Sequence, residues 1–87
     1  MPEITPEQHD DITFLSRTMN WVYWPYCPVK RYVNNTPECA ACYDAPNGKR
    51  IVYFKNLLSA IEEGLKDTKS IEYNSSYDMV MDGWMVD

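Results

Sequence analysis

A small single-domain α+β fold is what this sequence predicts, and three observations predict it. A helix start is written out at Thr5-Pro6-Glu7-Gln8, where a capping threonine, a proline at the first helical position and a glutamine three residues after the cap form a capping box. A β-prone window, Arg50-Ile51-Val52-Tyr53-Phe54, follows the turn-forming pair Asn47-Gly48. The 87 residues are 45% hydrophobic and 14% aromatic, enough for one packed core and too rich in rings for a disordered chain. The predicted order is an N-terminal helix, a central antiparallel hairpin or three-stranded sheet, a second helix packed on it, and a short C-terminal helix or strand. All of it falls in one domain over residues 1–87.

The first helix gains from Glu7, Asp10 and Asp11 near the positive end of its dipole. Ile12, Leu15, Met19 and Val22 recur at steps of three and four, so they predict one buried stripe with Phe14 at its edge. Pro25 disfavours helical backbone at Trp24, which ends the helix by about there. Pro25 and Pro28 then interrupt the chain, and neither suits the inside of a central strand.

Val29 to Val33 reads as extended, and Asn34-Asn35-Thr36-Pro37 as a polar turn. Cys39 to Tyr43 and Lys49 to Phe54 predict a hairpin around Asp44-Ala45-Pro46-Asn47-Gly48. Asn56 caps the second helix, with Leu57, Leu58, Ile61 and Leu65 as its buried stripe and a Glu62–Lys66 pair on its outer side. Gly64 weakens the last turn. Ile71 to Tyr73 adds a short strand. The tail carries both periods: Tyr77, Val80, Met81, Trp84 and Met85 fit a helix capped by Ser75 or Ser76, while Tyr77, Met79 and Met81 alternate as a strand would, and Gly83 opposes a helix.

Charge is segregated along the chain. The net charge is −5, with −4 in residues 1–16, +4 in residues 17–55 and −5 in residues 56–87. Acidic ends flanking a basic, aromatic middle allow two outcomes: the ends fold back and neutralise the middle, or one face of the fold is continuously acidic. No apolar run approaches the about 20 residues of a membrane helix. Met1-Pro2-Glu3-Ile4 lacks the charged and apolar regions of a signal peptide, so a cytoplasmic chain is expected. Asn34-Asn35-Thr36 and Asn74-Ser75-Ser76 match the glycosylation pattern and are read as turns on that expectation.

Cys27, Cys39 and Cys42 are an odd set, which favours free thiols in a reducing compartment. Cys39 and Cys42 have the spacing of half a zinc site that Cys27 and His9 would have to complete. The second paired knuckle is missing, so no metal or other cofactor is expected. Small residues packing beneath a helix explain Cys39-Ala40-Ala41-Cys42 better. A thioredoxin-like role fails because a turn follows where that motif opens a helix. His9 has no nucleophile beside it, the carboxylate pairs Asp10-Asp11 and Glu62-Glu63 do not face each other on a helix, and no phosphate-cradling glycine loop exists. A non-enzyme is expected.

The leading expectation is a protein-interaction module. Glu7, Asp10, Asp11, Glu62, Glu63, Asp78 and Asp82 would present carboxylates to the basic surface of a nucleic-acid-binding protein, mimicking a phosphate backbone, with Tyr77 and Trp84 as desolvated anchors. In size, acidity and lack of a catalytic motif the chain is similar to phage-encoded inhibitors of bacterial defence or host enzymes, a likeness of bulk properties that assigns no residues. Such a protein would bind no nucleic acid directly and no membrane, and a sheet edge or the Met-rich tail would allow a homodimer. The second expectation is a nucleotide or small-ligand binder, with Trp24, Tyr26 and Tyr32 stacking on a base and Arg31, Lys49 or Arg50 holding phosphate.

Overall fold

A computed structural model describes residues 3–87, so the reading of Met1 and Pro2 as part of a leaderless N-terminus lies outside the described residues. The order is α1 (Pro6–Ser16), β1 (Tyr26–Val33), β2 (Thr36–Asp44), β3 (Arg50–Tyr53), α2 (Leu57–Glu63), β4 (Ser70–Tyr73), α3 (Ser76–Met81) and β5 (Met85–Val86). The strands form one antiparallel sheet in the order β4-β3-β2-β1-β5. The α+β class and the central antiparallel sheet follow the sequence expectation; the sheet is wider than the hairpin or three strands predicted, because the tail contributes β5 at the far edge.

The capping box at α1 is complete. The Thr5 hydroxyl accepts from the Gln8 N–H at 3.1 Å, and the Gln8 side chain accepts from the Thr5 N–H at 3.0 Å. The helix nevertheless stops at Ser16, well before Trp24, and a 3-10 turn over Thr18–Asn20 follows. That break overturns the expected stripe: Leu15 is fully buried, whereas Met19 and Val22 are 90% and 86% exposed.

β1 and β2 form the longest hairpin. Asn34 and Asn35 both take positive φ (52° and 65°), the two-residue geometry whose twist matches the strands it joins. Pro28 does lie inside this central strand, against expectation. Its carbonyl accepts from the Asp87 N–H at 3.0 Å, so its nitrogen faces the β5 side, where no ladder bond to β2 is lost.

Alternation sorts the sheet into two faces. Cys27, Val29, Ala40, Cys42, Val52 and Tyr73 form one floor with Leu15, Trp21, Met79, Val80 and Trp84 packed on it. α1 lies against α3 and β5 above that floor. The other face carries Tyr26, Tyr43 and Tyr53, with the Tyr26 and Tyr43 rings 5.6 Å apart and Tyr43 and Tyr53 6.4 Å apart. α2 rests on this second face against β1 and β2, and Ala60 shares a hollow with Tyr26.

Only Ala60 of α2 is buried; Leu58 and Ile61 are 69% and 51% exposed, and Leu57 and Leu65 are half-buried. The predicted leucine stripe is therefore wrong, because a seven-residue helix approaches the tyrosine layer through its smallest side chain. Gly64 (φ 80°) ends the helix before Lys66, so no Glu62–Lys66 pair forms on it. The tail resolves its two periods in succession. Ser75 caps a short helix, accepting from the Asp78 N–H at 3.2 Å, and Gly83 (φ 101°) turns the chain into β5. Among the described residues no helix is long and apolar enough to cross a membrane.

Candidate functional site

Segment 17–26, which links α1 to β1 and ends on the first residue of β1, turns several large apolar side chains outward. Met19, Val22, Tyr23 and Trp24 are 90%, 86%, 53% and 61% exposed. Four consecutive apolar residues from Trp21 to Trp24 cannot share one inward face, and only Trp21 goes in. Its indole N–H donates to the Phe14 carbonyl at 3.1 Å, and the Arg50 guanidinium lies 5.6 Å from its ring. The Trp24 indole N–H donates to Asp44 Oδ2 at 2.9 Å. Backbone bonds from Trp21 N–H to Thr18, from Trp24 N–H to Trp21 and from Tyr26 N–H to Tyr23 tie the segment into successive turns. The segment is therefore pinned at both tryptophans while its apolar side chains stand in water.

Three hollows adjoin it. Met19 and Trp24 border one with Asp44, and Tyr23, Trp24 and Tyr26 border another with Ile61 of α2. The third, of about 210 Å³, is walled by Phe14, Trp21, Tyr23 and Tyr26 and has Asp87 on its rim. Shared walls make Met19, Val22, Tyr23, Trp24, Tyr26 and Ile61 one continuous surface. Among the described residues no Lys or Arg lines these hollows, and the charged residues that do are Asp44 and Asp87.

The carboxylates expected to act together are divided. Glu7 and Asp10 are exposed on α1 and Asp78 is exposed on α3, which packs beside it. Glu62 and Glu63 belong to α2 on the opposite face of the sheet. Asp11 is half-buried and accepts from the Val86 N–H at 3.4 Å; burial pushes its carboxyl above the usual carboxylate range, with the Asp10 charge adding to the shift. Asp82 is occupied by the Arg31 guanidinium at 3.4 Å and the Tyr73 hydroxyl. Burial, and then the bond to Asp82, raise the Tyr73 phenol. Tyr77 is 37% exposed, but Trp84 is 1% exposed and belongs to the core, so it anchors no partner in this fold.

The nucleotide-binding set is not assembled either. Arg50 is 4% exposed, donating to the Leu15 and Lys49 carbonyls and to Asp44. Arg31 lies 4.4 Å from the Trp84 ring, held between Glu38 and Asp82. Both arginines extend from the face opposite Tyr26 and Tyr32. Lys49 pairs with Glu72 at 3.1 Å, and Trp24 and Tyr32 stand apart at the two ends of the sheet. Four of the basic middle's cations, Lys30, Arg31, Lys49 and Arg50, thus have carboxylate partners among the described residues.

The thiols separate by strand parity. Three residues apart on β2, Cys39 and Cys42 point to opposite faces, which explains why their spacing gathers no metal site; among the described residues no group of three or more His, Cys, Asp or Glu could hold one. Cys27 and Cys42 sit opposite each other across β1 and β2, and burial pushes both thiols up to about 12. The Asp11 charge adds to the shift at Cys27. Cys39 is exposed. In the native protein at pH 8, a disulfide reagent is expected to modify Cys39 quickly and the other two only as the fold opens. Mass spectrometry of the labelled sites checks this, and fast labelling of Cys42 would contradict the assigned strand faces.

The residues that sequence reasoning missed are Met19, Val22, Tyr23 and Ile61, all first assigned to buried stripes or to general aromatic content. The signal for two of them, Val22 and Tyr23, was present: the unbroken apolar run Trp21–Trp24 ahead of Pro25 is too dense for one side of a helix. No protein family, curated protein or solved structure matches this chain.

Proposed function

We propose that the chain is a non-catalytic protein-interaction module that covers a basic surface of a partner protein. The observation that carries this reading is the pinned segment 17–26, which holds Met19, Val22, Tyr23 and Trp24 outward on a rigid base. Contiguous exposed apolar surface of this kind marks interaction sites, and Trp and Tyr are the side chains that most often anchor them. Fixing the segment through Trp21 and Asp44 lowers the ordering cost of association.

Electrostatics selects the kind of partner. Asp44 and Asp87 at the border of the surface are paired with Arg50 and Lys30, so the attraction rests on the exposed Glu7, Asp10 and Asp78 of a molecule of net charge −5. A partner surface with an apolar centre and Lys or Arg around it is complementary, and the carboxylates steer its approach. Nucleic-acid-binding proteins offer such surfaces, so occupying one would block its ligand. The anchor is the aromatic segment rather than Trp84, and the acidic residues of α1 and α3 serve attraction more than grip.

The test compares the intact chain with Trp24→Ala and Tyr23→Ala in capture from a lysate, followed by binding to the purified captured protein. Both positions are more than half exposed, so the variants keep the core; Trp24→Ala also releases the indole bond to Asp44 that pins the segment, whereas Tyr23→Ala removes side-chain contact alone. Each is expected to weaken binding by about 30-fold or more, matching a hot spot of about 2 kcal/mol. Raising salt is expected to slow association. The captured protein should lose its nucleic acid when the chain binds. Binding unaffected by both substitutions, or self-association as the sole interaction, would overturn the proposal.

A further inference from the structure

The pocket of about 210 Å³ between the end of α1, the start of β1 and the end of β5 has a composition that points to a ligand class. The exposed Tyr23 and the half-buried Phe14 and Tyr26 contribute to its lining; Trp21 lines it too, is 4% exposed, and already has Arg50 near its ring. Cys27 contributes a thiol that burial keeps protonated and therefore neutral. Among the described residues that line the pocket the charged one is Asp87, whose side chain is 42% exposed and lies 3.7 Å from the Lys30 ammonium. That ion pair is longer than a hydrogen bond and leaves the carboxylate able to act on a second cation.

Size and chemistry narrow the occupant. The pocket is smaller than the about 300–1,000 Å³ of drug-sized sites, so it admits a group of a few heavy atoms and no nucleotide. Ring faces attract cations, and the carboxylate adds to that attraction. A primary ammonium would have to surrender strong hydration with few hydrogen-bond acceptors to replace it. A methylated ammonium carries its charge under a skin of methyl groups, which bury well against rings.

We propose that Phe14, Tyr23, Tyr26 and Asp87 form an aromatic cage for a quaternary ammonium group. The pocket is one of the hollows of the proposed partner surface and shares Tyr23, Tyr26 and Asp87 with it, but it does not rest on a protein partner: the choline titration can fail while capture of a partner succeeds, and the reverse.

Choline and its neutral isostere 3,3-dimethylbutanol, titrated into the intact chain and followed by amide chemical shifts, test the cage directly. Choline is expected to saturate with shifts centred on residues 21–28 and to bind about tenfold or more tighter than the isostere, because cation–π attraction requires the charge. Tyr23→Leu keeps an apolar wall and is expected to remove most of that tenfold preference. Asp87→Asn should weaken choline while leaving the isostere unchanged. A peptide bearing trimethyllysine, compared with the same peptide bearing lysine, distinguishes a modified side chain from a small solute as the source of the group. Equal binding of choline and the isostere would overturn the proposal. So would a choline affinity insensitive to Tyr23→Leu, or saturation by neither choline nor the trimethyllysine peptide.

Discussion

Trp84→Ala is expected to remove about 3–5 kcal/mol of stability, the range for truncating a large buried aromatic side chain. Three contacts make this position costly. The Trp84 ring meets Phe54 edge-on at 5.8 Å, lies 4.4 Å from the Arg31 guanidinium, and donates its indole N–H to the Tyr73 hydroxyl at 3.0 Å. Tyr73 in turn donates to Asp82, which also holds Arg31. The substitution therefore opens a cavity between α1, α3 and the sheet and releases a polar network joining β1, β2, β4 and the turn into β5. Against a total of about 5–15 kcal/mol for a native domain, this is a large fraction. Trp84→Phe retains most of the apolar volume and loses only the indole donor, so about 1–2 kcal/mol is expected. Urea midpoints read at unchanged slope give both values. A loss below about 1 kcal/mol for the alanine variant would mean that Trp84 does not close this core.

Sequence reasoning succeeded where structure is decided within a few residues. The capping box at Thr5 and Gln8 and the Asn56 and Ser75 caps depend on side chains meeting backbone three positions away, and the Asn47-Gly48 turn on positive φ at both residues. It failed where the outcome depends on what lies across the fold. The steps of Met19 and Val22 continue the α1 stripe on paper, but Arg50 from β3 takes the Leu15 carbonyl and Trp21 fills the space beyond it. Leu58 and Ile61 have the right spacing for burial, yet the sheet beneath them is already filled with tyrosine rings.

The candidate site was legible as composition and not as arrangement. The aromatic belt with interleaved cations was visible, but period-two alternation sends Tyr26 and Tyr32 to one face and Arg31 and Arg50 to the other. The acidic ends illustrate the same limit. Asp82 and Asp87 fold back onto Arg31 and Lys30, Glu62 and Glu63 go beneath the sheet, and Glu7, Asp10 and Asp78 stay free on α1 and α3. Charge blocks in a sequence carry no information about which side of a sheet each residue will occupy. Segment 17–26 was only partly legible: the apolar run could signal exposure, but the Trp24 bond to Asp44 and the Arg50 guanidinium beside Trp21 join residues 20 or more positions apart.

Arg50→Met tests that pinning and is expected to cost about 3–5 kcal/mol, the range for breaking a buried pair by removing one partner. The 4% exposed guanidinium donates through Nε to the Leu15 carbonyl at 3.1 Å, and through Nη1 to Asp44 Oδ1 at 3.1 Å and the Lys49 carbonyl at 2.7 Å. Methionine fills the stem's volume but leaves Asp44 with the exposed Trp24 indole N–H as its remaining side-chain donor, and it removes the cation from the last turn of α1. Arg50→Lys keeps the charge yet cannot reach the Leu15 carbonyl and Asp44 together, so an intermediate loss of about 1–3 kcal/mol is expected. Replacing both partners, as Arg50→Met with Asp44→Leu, should recover part of the loss, since a half-buried carboxylate without its cation no longer remains. The location of the damage separates a general core defect from loss of the anchor. Amide exchange at Trp24 and Tyr26, whose N–H groups close the turns of segment 17–26, should accelerate more than exchange at Val52 in the sheet interior. Equal acceleration at all three positions would mean that Arg50 stabilises the fold as a whole, and that the aromatic surface owes its order to Trp21 and the backbone turns alone.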